Sequence, residues 1–263
     1  MEFSEHLESL ALCYDMLKDP FRAKVFRSGK GKAVEAERIE FEKTNTSERL
    51  KSLEKGLDKS IKTFKKVFGV GPVTAMKWYE EGCRSLDDAK KLKNLTDAQK
   101  LGLEYFDDLQ FRIERKEMEE WDRVLDIEGK TIVGSYRRGL NSSGDIDVLV
   151  KSEDISLDKM KSIVKKLEKY SVGSLAMGPR KYMGLVRLFD KVRRIDIRLF
   201  TEKEYPFALL YNTGSQEHNI KMRLIAQEKG LRLNEYSLGD HIVTDEKEIF
   251  HLLGMEYIKP ELR

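Results

Sequence analysis

Two short stretches of this 263-residue chain alternate aspartate with aliphatic residues: Gly144-Asp145-Ile146-Asp147-Val148-Leu149-Val150 and Arg193-Arg194-Ile195-Asp196-Ile197-Arg198. Their branched side chains read as strands. On a strand, residues i and i+2 share one face. Asp145 and Asp147 then project side by side while Ile146 faces a core, and Asp196 points away from Ile195 and Ile197. Two neighbouring ionised carboxylates repel, which favours a proton on one unless a cation intervenes. Oxygen ligands at this spacing suit magnesium, which combines carboxylates with substrate phosphates. Asp196 supplies the third acid of a two-metal site, whose ions sit about 3.5–4 Å apart and clamp the attacking and leaving oxygens of a phosphoryl transfer. The plain alternative is an Asp-X-Asp pair facing water on an edge strand. Its surroundings argue against that. Gly134-Ser135 ends the strand-like run from Lys130, and its amides and hydroxyl can donate to phosphate oxygens. Arg138 adds a charge-assisted donor, and Gly144 permits close backbone approach.

Around this centre the chain reads as α+β. Residues 1–120 are helical in pattern. Leu7, Leu10, Ala11, Tyr14 and Leu17 follow helical spacing until Asp19-Pro20. Residues 32–42 and 47–66 predict charged helices, 73–81 another, and Ser85 a helix cap. Glycine turns stand at Ser28-Gly29-Lys30-Gly31-Lys32 and Phe68-Gly69-Val70-Gly71-Pro72. A glycine turn before a helix leaves backbone N–H groups free to meet a phosphate. An ordinary helix-helix turn is the bland reading of either. Beyond residue 128 the pattern predicts strands at 130–134, 146–150, 182–188 and 193–200, with a helical insert at 156–170. Helix returns over 204–230, and short strands and turns finish the chain.

Composition sets outer limits. No apolar run approaches the roughly 18 residues of a membrane span. The start, MEFSEHLESL, lacks the pattern of a secretory leader. Cys13 and Cys83 have neither zinc nor disulfide spacing, so a secreted or zinc-finger protein is not expected. Net charge is only +3, but residues 121–200 carry 17 basic and 11 acidic side chains. That asymmetry fits a polyanionic partner. The four histidines show no ligand spacing, and Trp78 and Trp121 fit a core.

The residues at 134–139, 142–150, 193–199 and 209–223 together resemble the family X DNA polymerases of the beta/lambda type. The likeness runs from about residue 60 to the end, and more loosely from residue 1. It implies a reduced lyase-like helical domain at 1–60, a helix-hairpin-helix DNA-binding subdomain at 61–125, a nucleotidyltransferase palm at 126–202 and a small nucleotide-selection subdomain at 203–263. The implied activity is template-directed addition of dNTPs to a 3′-hydroxyl in short DNA gaps during repair. Asp145, Asp147 and Asp196 would be the catalytic metal ligands for two Mg2+, with Mn2+ able to substitute. Ser135, Arg138, Gly144, Tyr211, Gly214 and Asn219 would hold the nucleotide. Gly69, Val70, Gly71, Arg194, Arg223, Lys30 and Lys32 would contact DNA, and Arg137 with Glu235 would form a conformational switch. Carbonyls of Lys65, Val67 and Val70 would take Na+ or K+. Gapped or nicked duplex DNA and dNTPs are the implied partners of a monomer that does not meet membranes, resident in the nucleus of a eukaryote or otherwise intracellular or viral. Two departures stand out. The family's Schiff-base lysine falls where this chain reads Ala36-Glu37-Arg38-Ile39, so lyase activity should be weak or absent. Asn212 stands where relatives carry an aromatic residue. The short turn at 189–191 argues against a template-independent terminal transferase, and the three acids argue against a non-catalytic DNA-end scaffold.

Overall fold

Glycine and proline cut the first hundred residues into short helices. The computed structural model describes residues 3–17, 19–55 and 59–263. The helices are α1 (Phe3–Met16), α2 (Pro20–Ser28), α3 (Lys32–Thr44), α4 (Glu48–Lys55), α5 (Lys59–Phe64), α6 (Pro72–Glu80), α7 (Leu86–Lys90), α8 (Asp97–Glu104) and α9 (Phe106–Gln110). Asp19 accepts the Arg22 N–H, and Pro20 opens α2 with its fixed φ. The helix expected over 47–66 divides into α4 and α5; its residues 56–58 lie outside the described set. Ser85 with Asp88, and Thr96 with Gln99, form capping boxes that satisfy the first amides of α7 and α8. Two cores result. Leu7, Leu10 and Tyr14 pack with Phe26, Val34 and Leu50. Ile61, Phe64 and Val67 pack with Trp78, Cys83 and Leu103.

Chain contacts divide at Phe106/Asp107 into two units. The second contains β1 (Ile113–Glu114), α10 (Arg115–Val124), β2 (Lys130–Ile132), α11 (Gly134–Arg137), β3 (Ser142–Ser143), β4 (Ile146–Lys151), α12 (Leu157–Lys165), β5 (Ser171–Met177), β6 (Lys181–Arg187), β7 (Val192–Phe200), α13 (Tyr205–Thr213), α14 (Gln216–Glu228) and α15 (Glu246–Leu252). The main sheet runs β2-β4-β7-β6-β5, with β4 and β7 parallel and the other pairs antiparallel. Ile146, Val148, Ile195 and Ile197 line one face, packed with Met118 and Trp121 of α10 and Met160 and Ile163 of α12. On the other face Leu149 and Phe200 meet Val133 and Ala208, with Leu209 packed beside them. This second face carries Asp147 and Asp196.

Several elements of this unit differ from the sequence reading. β5 was not anticipated: Ser-Val-Gly-Ser-Leu-Ala-Met is small and polar, and its ladder with β6 is broken by two register shifts. After residue 230 the expected strands reduce to one bridge, Leu233 with Leu238. Instead α15 forms, with Asp245 accepting the Glu248 N–H. Ile249, Phe250 and Leu253 pack with Phe207, Leu210 and Met222. Among the described residues no helix is long and apolar enough to cross a membrane.

Candidate active site

The parallel β4–β7 register sets Ile146 opposite Ile195 and Asp147 opposite Asp196. Both isoleucines are fully buried, so the two acids emerge side by side on the opposite face. Asp145 stands just ahead of β4, next to Asp147. Burial, then the neighbouring charges of Asp145 and Asp196, push Asp147 up to about 7. Burial also raises Asp145, against the pull of Arg194.

Arg194 ties the acids together. Its Nε donates to Asp196 Oδ1 at 3.0 Å and its Nη2 to Oδ2 at 2.9 Å. The same Nη2 lies 3.6 Å from Asp145 Oδ2. Lys181 Nζ stands 3.6 Å from Asp196 Oδ2. Burial works against the Arg194 charge, but the three acids outweigh it and hold the guanidinium protonated. Among the described residues, no three Asp, Glu, His or Cys side chains form a ready metal cage. The donor chemistry still fits a hard divalent ion: three carboxylates around one patch, two of which resist ionisation until positive charge offsets them.

Gly134 sits against this patch at φ +61°, and a Cβ there would lie 2.6 Å from Asp147 Oδ2. The turn can approach the acid only because it is glycine. Ser135 Oγ donates to Ser143 Oγ at 2.9 Å. The Arg138 guanidinium donates to the Thr213 carbonyl at the end of α13. Burial lowers Arg138, opposed by Glu217 and Asp147. An added Cβ on Gly144 would meet nothing within 4 Å, leaving the backbone before Asp145 open. Asn219 Nδ2 donates to the Tyr211 carbonyl at 2.7 Å. Asn212 Nδ2 turns back onto Ala208 O at 2.8 Å. Gly214, at φ +71°, borders the Arg138 guanidinium, and Arg223 is exposed on α14.

Arg137, which the resemblance assigns with Glu235 to a conformational switch, has other partners in this structure. It donates to Glu246 at 3.1 and 2.7 Å and to Thr213 Oγ1 at 2.6 Å. Glu246 opens α15 and also accepts from Arg263 at 2.8 Å. The sequence reading missed this carboxylate because it missed α15; the Asp245-to-Glu248 start signal was there to be read.

In the first unit, Gly69 (φ +76°) and Gly71 are exposed, and no side chain caps α6. Gln99 Nε2 donates to Gly69 O at 3.3 Å. At Gly102 a Cβ would fall 2.5 Å from Phe68 O, so α8 lies directly on the hairpin. The Val67 carbonyl accepts the Val70 N–H at 3.1 Å, and Lys65 Nζ is ion-paired with Glu54. Lys30 and Lys32 are exposed at the first glycine turn. Within α3, Glu37 is buried between His6 Nε2 at 3.2 Å and Arg49 Nη1 at 3.1 Å. No local pattern marks this cluster, whose members come from three helices.

Comparison with known proteins agrees with this layout. Residues 62–110 match the fingers domain of DNA polymerase lambda, 111–202 the DNA polymerase beta palm and 208–263 the DNA polymerase beta thumb. The chain belongs to the family X DNA polymerases, of the beta/lambda type. It is 34% identical over 245 residues to a DNA polymerase lambda of Arabidopsis thaliana, an alignment covering 78% of this chain and 46% of that protein. Against a DNA polymerase lambda of Rattus norvegicus it is 32% identical over 239 residues, 77% of this chain and 42% of the other. The chain thus spans less than half the length of these relatives.

Proposed function

We propose that this chain is a DNA-directed DNA polymerase that fills short gaps during repair. The observation that carries the reading is the pairing of Asp147 with Asp196 beneath the Gly134-Ser135 turn. Asp145, Asp147 and Asp196 would hold divalent ions, Mg2+ or Mn2+, which supply positive charge for the attacking 3′-oxygen and the leaving pyrophosphate. Arg194 fixes the Asp196 carboxylate in one orientation through its two bonds and stands on the primer side. Ser135 and Arg138 bind the triphosphate, with Gly144 leaving room for it. Tyr211, Gly214 and Asn219 line the sugar and base pocket, and Arg223 faces the template. Arg137, through Thr213 and Glu246, ties the phosphate turn to the nucleotide-side helices.

In the first unit, the amides of Gly69 and Gly71 before α6 grip a DNA phosphate; the Val70 amide, expected to join them, is already held by the Val67 carbonyl. The carbonyls at Lys65, Val67 and Val70 take a monovalent cation. Lys30 and Lys32 bind a 5′-phosphate without lyase chemistry, because Glu37 and Arg38 stand where a nucleophilic lysine is needed. The four-part division at 60, 125 and 202 follows these roles. The protein works as a monomer, in the nucleus where its source is eukaryotic.

The test is insertion into a one-nucleotide gap with Mg2+, for the parent and Asp196→Ala. Loss of at least about a thousandfold is expected. Equal insertion would remove Asp196 from the reaction. Tailing of single-stranded DNA as fast as gap filling would replace this reading with a template-independent transferase. DNA binding without insertion by the parent would leave a scaffold.

A further inference from the structure

The chain crosses once from the acid-bearing strand β7 to the nucleotide-side helix α13, through Thr201–Glu204. The three acids precede that crossing; Tyr211, Gly214 and Asn219 follow it. The geometry of the crossing therefore sets one half of the site against the other. Arg180, in the turn between β5 and β6, braces it. Its Nη1 donates to Glu204 Oε2 at 2.9 Å and its Nη2 to Oε1 at 3.2 Å. Glu204 in turn accepts the Thr201 N–H at 3.0 Å. The same guanidinium lies 5.5 Å from the ring centre of Tyr236, whose ring tilts against Phe200 at 5.6 Å.

Tyr236 is held in a tight turn. Asn234 Oδ1 accepts the amides of Tyr236 and Ser237 at 2.8 and 2.9 Å. On the other side, the Arg180 carbonyl accepts the Leu199 N–H at 2.9 Å. The next residue, Lys181, reaches toward Asp196. One residue thus joins the sheet, the crossing and the 234–237 turn. A forked guanidinium-carboxylate pair fixes orientation as well as distance. Half-exposed, it contributes little to global stability.

We propose that Arg180 is a positioning residue for nucleotidyl transfer: by clamping Glu204 and Tyr236 it fixes the crossing and sets the insertion rate without contributing to DNA affinity. This rests on the polymerase reading above. The experiment compares the parent with Arg180→Ala, Arg180→Lys, Glu204→Gln and the double variant Arg180→Ala/Glu204→Gln. Single-turnover insertion, gapped-DNA affinity, unfolding midpoint and amide hydrogen exchange over 232–238 are measured for each. Each alanine or glutamine change should slow insertion about tenfold, with affinity held within about twofold. The double variant should be no slower than either single. Lysine, which keeps the charge but loses the fork, should fall between alanine and the parent. Exchange over 232–238 should rise in Arg180→Ala while the midpoint holds. Parental insertion by Arg180→Ala, additive losses in the double variant, or affinity falling in step with rate would each overturn the proposal. An inactive parent would sink the polymerase reading instead. The exchange data would then decide the clamp alone, with unchanged exchange counting against it.

Discussion

Asp147 should cost this protein stability in the absence of metal, and replacing it should reveal how much. Its carboxyl sits at about 7, against an ordinary value of 3.8, because it is buried beside Asp145 and Asp196. The distance between those values corresponds to an upper bound of roughly 4 kcal/mol at pH 8. The side chain keeps partial contact with solvent, which reduces the expected penalty to about 1–2 kcal/mol. The sign follows from proton uptake. Between pH 4 and 7 the native acid holds a proton that the unfolded chain has released, so stability falls as pH rises through that window and is lowest above it. Asp147→Asn removes the charge at nearly constant volume. In EDTA at pH 8 its unfolding midpoint should rise by about 3–6 °C, and the gain should shrink at pH 5. Added Mg2+ should raise the parent's midpoint and leave the variant's almost unchanged, while insertion by the variant falls at least about a hundredfold. A variant no more stable than the parent at pH 8 without metal would refute the claim that these acids repel in the folded state.

Three further outcomes follow from close contacts and from chemistry. Gly134→Ala places a methyl 2.6 Å from Asp147 Oδ2 at a positive φ; gap insertion should fall about a hundredfold, and a fully active variant would deny the close approach. Gly184→Ala drives a Cβ into the fully buried Tyr182 ring; urea unfolding should register a loss of about 2–3 kcal/mol, and an unaltered midpoint would mean the ring can move aside. Borohydride trapping on an incised abasic site should yield no covalent complex with the purified chain, since Arg38 cannot form a Schiff base and Glu37 is locked between His6 and Arg49; strong trapping would point to another lysine.

What could be read from the sequence divides along a physical line. The acid site was legible because strand periodicity is local. Once Ile146, Ile195 and Ile197 are assigned to a core, Asp147 and Asp196 have only the other face to occupy, and the β4–β7 register puts them opposite one another. Asp145 needed no strand of its own, since it lies ahead of β4 and is drawn in by Arg194. The hairpin at Gly69 was legible for the same reason: positive φ and an uncapped helix start are properties of a few adjacent residues. What stayed hidden is whatever depends on partners distant in the chain. Nothing near Arg137 names Glu246 as its partner across 109 positions, and nothing near Glu37 announces His6 and Arg49. The strand β5 has weak intrinsic preference and exists because β6 offers it a ladder. The same distinction separates Arg180 from Arg194. Arg194 lies two residues from Asp196, inside one of the short motifs that carry the family resemblance. Arg180 becomes meaningful only when Glu204 and Tyr236, 24 and 56 positions onward, are brought to it by the fold. Local pattern therefore accounts for which groups meet at the acid patch, and the tertiary fold for how they are held.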